Sequence, residues 1–208
     1  PCFQNFIRSL YNHLLGRFLG HPFDGDEDDS FTSKDRQTIR IQNETIFQVC
    51  TARINYTTYD LRRAYDTINP RTHPFVMVAS PETEPGAHPF WYAAVMGVFH
   101  ANVQHTGQAS QDYRFWRTEF LWVRWLGVVP DYSCGRSEAK LPKIGFVPDT
   151  DEYAFGFLDP SVVLRGCHLV PSFVDGRTTK LLTVDKGYPT AARPPREQDD
   201  WENFYVGM

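Results

Sequence analysis

The stretch FWYAAVMGVFHANVQ at residues 90–104 decides the fold, together with FWRTEFLWVRWLGVV at residues 115–129. Aromatic and β-branched residues crowd both stretches and favour pleated, half-buried surfaces, so each stretch predicts one long β-strand. Side chains alternate between the two faces of a strand. In the second stretch one face carries Leu121, Val123 and Trp125, and the other carries Phe120, Trp122, Arg124 and Leu126. Because both faces are largely apolar, this strand is predicted to be central in its sheet.

Shorter strand patterns surround these two stretches and are separated by turn-forming residues. Gly97, in the middle of the first long strand, indicates a bulge or a sharp bend. Asp159 and Pro160 predict a single helical turn, with Asp159 as its cap. Further strands are predicted at residues 75–79, 143–147, 154–158 and 162–170. Short strands at this spacing are typical of a sandwich or barrel, so residues 66–185 are predicted to form a compact antiparallel β-barrel.

The flanking segments predict other elements. Apolar residues recur every three or four positions over residues 3–19, which predicts an amphipathic helix closed at Gly20 or at His21 and Pro22. An apolar alternation interrupted by Asn43 and Glu44 predicts a β-hairpin, followed by a strand at residues 52–59. The fold class is therefore mainly β, of the α+β kind. Its three expected parts are a helix and hairpin extension (1–65), the barrel (66–185), and a proline-rich linker with a C-terminal docking segment (186–208).

Composition narrows the function classes. The chain has 208 residues with 21 Lys and Arg against 25 Asp and Glu, a net charge of −4, and no strongly basic segment. Proteins that grip nucleic acid through its phosphates carry basic patches, so nucleic-acid binding is possible but disfavoured. Neither a signal peptide nor an apolar span of about 20 residues is present, which predicts an intracellular protein that does not bind membranes.

No motif in the sequence indicates catalysis or a metal centre. The cysteines Cys2, Cys50, Cys134 and Cys167 lack CxxC spacing, so zinc is not expected and the thiols are expected to stay reduced. Cys167 and His168 are adjacent on a predicted strand and therefore face opposite ways. The acidic run at residues 24–29 carries oxygen ligands suited to calcium or magnesium, but its spacing favours a solvated loop. We expect no enzyme activity, no cofactor and no small-molecule substrate.

Two residue sets are candidate binding sites. Aromatic side chains on the two long strands are suited to line a pocket for a peptide, a methylated lysine or a stacked base; they are Phe90, Trp91, Tyr92, Trp122 and Trp125. The alternative is that these rings fill the core, which we favour for Trp122 and Trp125. A DNA-contacting surface would instead require four arginines to gather on one face: Arg62, Arg63, Arg71 and Arg124.

The order of sequence blocks resembles the C-terminal region of fungal Plavaka-type transposases, which are related to the KDZ and CACTA groups of mobile elements. The blocks that carry the resemblance are Asn12-His13-Leu14-Leu15 with Arg17, residues 24–27, 53–60 with Arg62-Arg63, 69–73, 88–92, Phe99-His100, 123–125, 145–147, 155–160, Arg165-Gly166, His168-Leu169 and Tyr205-Val206. The barrel is also similar, in block order, to chromatin BAH modules and to the SH3-like barrels that such modules contain.

This resemblance implies a segment that follows the catalytic core of a transposase, since the metal-binding carboxylates of that family lie upstream. It implies a non-catalytic accessory domain, expected in the nucleus, that binds a protein or chromatin partner or the rest of the transposase chain. The alternative is a DNA-contacting domain that positions the transposon ends.

Overall fold

A computed structural model describes residues 6–23, 31–84, 86–108, 110, 112–135, 138–182, 192 and 199–207. Within these ranges the chain is mainly β with two helices, α1 (Phe6–Leu19) and α2 (Ser33–Arg36). The strands, in chain order, are β1 (Ile39–Ile41), β2 (Phe47–Val49), β3 (Ala52–Thr57), β4 (Arg63–Ile68), β5 (Phe75–Ala79), β6 (Phe90–His105), β7 (Trp116–Val128), β8 (Lys143–Phe146), β9 (Phe155–Leu158), β10 (Val163–Gly166), β11 (His168–Pro171), β12 (Arg177–Thr178), β13 (Asp200–Trp201) and β14 (Phe204–Gly207).

The N-terminal helix confirms the amphipathic pattern. α1 buries Leu10, Leu14 and Leu15. It ends at Gly20, whose φ of 73° is a left-handed conformation that glycine adopts without strain. No helix within the described ranges is long and apolar enough to cross a bilayer.

The two long strands form the centre of the main sheet. In the part of the chain that the structure describes, ten strands join this sheet, whose main path runs β10-β5-β6-β7-β8-β14-β11. β6 and β7 pair antiparallel from Tyr92 with Leu126 to Val103 with Trp116. The register shifts between Val95 and Gly97, which confirms the predicted bulge. A Cβ at Gly97 would collide with the Phe99 ring, so this position favours glycine.

The predicted hairpin around Asn43 and Glu44 is wrong. β1 and β2 do not pair with each other: both pair antiparallel with β6, at residues 103–105 and 98–100 respectively. β6 is 16 residues long and β5 only five, so β6 offers an additional edge for pairing. Asn43 and Glu44 adopt positive φ values of 55° and 52° in a 3-10 turn that offsets the chain without reversing it.

The hairpin that does form lies later in the chain. β3 and β4 pair antiparallel from Ala52 with Ile68 to Thr57 with Arg63. The turn between them carries Leu61 at a φ of 61°. We call this unit the β3–β4 hairpin; the sequence predicted its first strand and missed its second.

The C-terminal residues belong to the main sheet. β14 pairs with β8 through Phe204 and Ile144, and with β11 through residues 204–207. The segment after residue 203 is therefore a strand between β8 and β11. Most of the predicted proline-rich linker lies outside the described residues, namely residues 186–191 and 193–198. Strands from all three predicted segments contribute to one sheet.

Three apolar clusters fill the molecule, and β7 contributes to all of them. The hairpin core joins the β3–β4 hairpin to the sheet and includes Ile54, Ile68, Val78, Leu121, Val123, Trp125 and Leu158. The helix core lies under α1 and includes Leu10, Leu14, Phe120, Trp122 and Phe157. The C-terminal core includes Met77, Tyr92, Leu126, Ile144, Cys167, Phe204 and Val206. β7 is therefore buried on both faces, which confirms its predicted central position.

Candidate functional site

Alternation along β6 and β7 separates the candidate residues into two groups. Trp91 and Trp125 point toward the hairpin core, where their ring centroids lie 6.1 Å apart with the planes at 76°. Their chain neighbours Tyr92 and Arg124 point to the other face of the sheet. The predicted aromatic set is thus divided between the two faces.

The Trp91–Trp125 pair lies at one side of an open cleft of about 1570 Å³. Its walls come from the segment after β5 (Glu82 and residues 86–89) and the segment after β7 (residues 129–135 and 138–142). Phe90 lines the same cleft, so Phe90, Trp91 and Trp125 are the predicted site residues that the structure brings together there. Trp125 is only 8% exposed and packs in the hairpin core as well as lining the cleft.

Among the described residues that line the cleft, most charged side chains are negative. Four carboxylates stand there against one lysine, Lys140; they are Glu82, Asp131, Glu138 and Asp151. The indole Nε1 of Trp91 donates a hydrogen bond to Oε1 of Glu82 at 3.2 Å, which fixes the ring beside a carboxylate. Carboxylates next to aromatic faces are the groups that attract cationic ligands.

Tyrosines add further aromatic surface to the cleft. Tyr153 is 46% exposed and Tyr132 is half-buried. The ring of Tyr132 already attracts cations within the chain, since Nζ of Lys143 and Nζ of Lys140 lie 5.6 and 5.9 Å from its centroid. The sequence prediction missed these tyrosines and the four carboxylates. They come from segments outside the long strands, and only the folded chain brings them beside Trp91.

Tyr92 and Trp122 do not line the cleft. Tyr92 is 1% exposed in the C-terminal core, where burial raises the pKa of its hydroxyl. That hydroxyl has no hydrogen-bond partner among the described residues. Trp122 is 5% exposed in the helix core, 5.3 Å from the ring of Phe6. The core interpretation is therefore the correct one for Trp122.

Arg124 is buried, so the prediction that four arginines gather on one surface is wrong. Its guanidinium pairs with Asp200 at 3.1 Å, donates to the carbonyl of Leu181 at 3.0 Å and lies 3.9 Å from the Phe146 ring centroid. An arginine within the apolar interior needs such partners, because an unpaired charge there is costly.

The three remaining arginines are exposed but do not form one group. Arg62 pairs with Asp60 at 2.9 Å in the turn of the β3–β4 hairpin. Arg63 begins β4, whereas Arg71 follows the end of that strand. The five residue steps from Arg63 to Ile68 span roughly 16 Å at about 3.3 Å per residue, and Arg71 lies beyond the far end of the strand.

Cys167 does not lie in the environment of a reactive thiol. Cys167 is 8% exposed, and burial raises the pKa of its thiol to about 12. A thiol with that pKa stays protonated at neutral pH, whereas the thiolate is the reactive form. His168, on the next residue, is exposed. Among the described residues no cluster of three or more His, Cys, Asp or Glu is arranged to hold a metal ion. The acidic run at residues 24–29 lies outside the described ranges.

Comparison of the chain with protein-family models, curated proteins and solved structures finds no match. The fold and the site therefore define a mainly β chain with an acidic, aromatic cleft. The proposed function rests on that cleft.

Proposed function

We propose that this chain is a non-catalytic binding module whose cleft takes a basic peptide segment of a protein or chromatin partner. The observation that carries the proposal is the combination of Trp91, which donates to Glu82 at 3.2 Å, with a cleft whose described lining has four carboxylates and one lysine. A lysine or arginine side chain of a partner would gain both ion pairing and contact with aromatic faces.

The size of the cleft suits an extended segment better than a small molecule. Its volume of about 1570 Å³ exceeds the roughly 300–1,000 Å³ of common small-ligand pockets. Exposed apolar side chains, among them Val128 and Leu141, extend along its lining. Large aromatic anchors surrounded by polar groups are typical of sites where a few residues supply most of the binding energy.

We also propose that the sheet closes into an SH3/BAH-like barrel. The strands at the two ends of the sheet path, β10 and β11, are separated in sequence by Cys167 alone. One continuous segment therefore pairs with β5 at its start and with β14 at its end. The amide of Cys167 donates to the carbonyl of Phe75 at 3.0 Å, which continues the pairing across the gap.

The proposed origin is the C-terminal part of a fungal Plavaka-type transposase acting in the nucleus. Its support is the order of sequence blocks given above, and its partners would be chromatin or the upstream part of the transposase chain. Co-purification of this chain with the upstream part of such a transposase tests the second partner. Failure of the two to associate would contradict that origin while leaving the cleft proposal to the peptide experiment.

The peptide experiment measures binding by fluorescence anisotropy. Labelled peptides rich in lysine and arginine, including histone-tail sequences, are titrated with the chain, and peptides with glutamate at the basic positions serve as the comparison. We expect binding of the basic peptides alone. Trp91→Ala, which removes the aromatic face, is expected to weaken binding at least tenfold. Glu82→Gln is expected to weaken it less, because it removes one charge of four.

Trp116→Ala is the matched control. Trp116 is 49% exposed near the opposite end of β7 and does not line the cleft. This variant is expected to bind like the parent chain. Equal loss in both tryptophan variants, or equal binding of basic and acidic peptides, would overturn the proposal.

A further inference from the structure

The turn of the β3–β4 hairpin projects two large apolar side chains into solvent. Leu61 is 85% exposed and Tyr59 is fully exposed, so neither side chain is packed against the chain itself. Burial of such side chains is favourable, because it removes apolar surface from water. We call residues 58–62 the hairpin tip. Binding of the hairpin tip to a partner would bury both side chains.

Hydrogen bonds within the turn hold the hairpin tip in one conformation. The Thr58 amide donates to the carbonyl of Arg62 at 2.8 Å, and the Leu61 amide donates to the carbonyl of Thr58 at 2.9 Å. Leu61 has a φ of 61°, a left-handed conformation that glycine or asparagine adopts more easily than leucine. The turn thus presents an exposed leucine at a position that does not favour it. Because the tip is already ordered, binding costs less conformational entropy.

The hairpin tip and the residue after it carry a net positive charge in a chain of net charge −4. Residues 58–63 are all described, and in them two arginines, Arg62 and Arg63, stand against one carboxylate, Asp60. Nε of Arg62 lies 2.9 Å from Oδ2 of Asp60. The hairpin tip therefore combines basic groups with exposed apolar ones, and tyrosine and arginine are the residues enriched at the energetic centres of interfaces.

The cleft has the complementary surface. Its described lining holds four carboxylates and one lysine, together with the exposed apolar side chains of Val128 and Leu141. The two strands of a hairpin lie about 4.8 Å apart. The cleft volume of about 1570 Å³ exceeds that of a pocket for one small molecule. None of residues 52–68, all of which are described, lines the cleft, so the hairpin tip does not fill the cleft of its own chain.

We infer that the hairpin tip of one copy of this chain binds in the cleft of a second copy. Tyr59 and Leu61 then pack on the apolar wall and on Trp91, while the arginines pair with the cleft carboxylates. The contact joins two different surfaces, so the copies associate head to tail. The inference rests on the proposed function, because the hairpin tip and a basic peptide compete for the same cleft. Self-association then regulates peptide binding.

Sedimentation velocity of the whole chain measures the self-association. Contacts through a small surface are weak, so chain concentrations are raised to about 200 μM. Species heavier than the monomer are expected to accumulate as the concentration of the parent chain rises. Tyr59→Ser/Leu61→Ser removes the apolar side chains of the hairpin tip, and Trp91→Ala removes the aromatic face of the cleft. Each variant is expected to raise the dissociation constant at least tenfold.

Mixing the two variants tests whether the contact joins the tip to the cleft. The tip variant keeps an intact cleft and Trp91→Ala keeps an intact tip, so one tip–cleft contact can form between them. A heterodimer is expected at concentrations where each variant alone is monomeric. Asp131→Asn/Glu138→Gln changes only exposed carboxylates of the cleft and is expected to weaken self-association as Trp91→Ala does. A mixture that stays monomeric would contradict the inference.

Phe173→Ser/Val174→Ser is the matched control for the tip variant. Both side chains are exposed and apolar, and they lie in another turn, outside the hairpin and the cleft. This variant is expected to associate like the parent chain. Equal losses in the control and the tip variant would show a general effect of exposed apolar surface and refute the tip–cleft contact. A parent chain that is monomeric at the highest concentration would refute it as well.

The basic peptides of the binding experiment separate this inference from the proposed function. They are expected to dissociate the self-associated parent chain, and the tip variant is expected to bind them as tightly as the parent. Peptide binding by a chain that does not self-associate would remove the inference and leave the proposed function intact. Self-association that the peptides do not reverse would place the hairpin tip outside the cleft, which also removes the inference.

Discussion

Two faces of the same two strands serve different purposes. Trp91 and Trp125 point to the side that opens into the cleft, while their neighbours Tyr92 and Arg124 point into the interior. The cleft side keeps its rings at a solvent boundary, with a hydrogen bond to Glu82. The interior side holds a charge that is 1% exposed and a hydroxyl without a partner in the described chain. The environment of a residue on these strands therefore depends on which face of the sheet its side chain lies on, and neighbours in sequence differ in it.

The largest effect on stability is expected from removing the buried charge on the interior face. Arg124→Met removes from the buried Asp200 the guanidinium that lies 3.1 Å away, and breaking a buried ion pair in this way costs about 3–5 kcal/mol. The free energy of unfolding, measured in urea, is expected to fall by that amount. The double variant Arg124→Met/Asp200→Leu removes both charges and is expected to recover most of the loss. A single variant as stable as the parent would show that Arg124 is not a structural group.

A pH titration extends the comparison to the helix core. Burial lowers the pKa of His13 to about 3, and its Nε2 is inaccessible to solvent. In the unfolded chain the imidazole has a pKa near 6.5, so between about pH 6.5 and pH 3 the unfolded state binds the additional proton. Stability is therefore expected to fall by about 1–2 kcal/mol from pH 7.5 to pH 5.

His13→Gln isolates this contribution in the same unfolding measurement. It is expected to flatten the decline between pH 7.5 and pH 5, because glutamine takes up no proton. His168→Gln, at an exposed histidine, is expected to keep the decline of the parent chain. A decline that is the same in both variants would assign the pH dependence to other groups.

A smaller effect of opposite sign is expected at Tyr92. Its buried hydroxyl has no partner among the described residues, and an unsatisfied polar group of this kind costs about 1–3 kcal/mol. Tyr92→Phe is therefore expected to raise the free energy of unfolding by about 1 kcal/mol. Denaturation in urea measures this free energy of unfolding. A variant less stable than the parent would mean that the Tyr92 hydroxyl has a hydrogen-bond partner.

The smallest effect is expected on the cleft side. Trp91 is only half-buried, so Trp91→Phe should change the free energy of unfolding by less than about 1 kcal/mol. The same substitution replaces the indole by a smaller ring and removes the hydrogen bond to Glu82. Basic peptides should therefore bind more weakly. A large loss of stability with unchanged peptide binding would reverse the roles assigned to the two faces.

The sequence predicted correctly those strands and caps that are determined by residues close together in the chain. β5 spans the predicted residues, and β6 to β9 begin and end within a residue or two of the prediction, because their apolar content is dense. The cap at Asp159 was predicted from its own side chain and the following proline, and it accepts from the Ser161 amide at 2.8 Å. The burial of Trp122 followed from its place on a strand that is apolar on both faces.

Pairing and site geometry depend on distant residues and were harder to predict. β1 and β2 look like a hairpin in sequence, but the free edge of β6 competes for both. β4 was missed because polar residues fill its exposed face. The cleft carboxylates lie in connecting segments, and no sequence spacing links Glu82 or Asp151 to the tryptophans. Arg124 could be assigned to neither surface nor interior without its partner 76 residues later.

The position of β14 has a consequence for synthesis of the chain. This strand lies between β8 and β11 in the sheet. Both of those strands are synthesised earlier, and they can pair with β14 only after residue 207 has been added. The ion pair of Arg124 likewise forms only after Asp200 has been synthesised. Such long-range pairing slows folding relative to local contacts. A nascent chain of this protein therefore carries an incomplete sheet, and its Arg124 lacks the ion pair with Asp200, until residue 207 has been synthesised. Incomplete sheets of this kind expose strand edges and apolar surface, which favour aggregation.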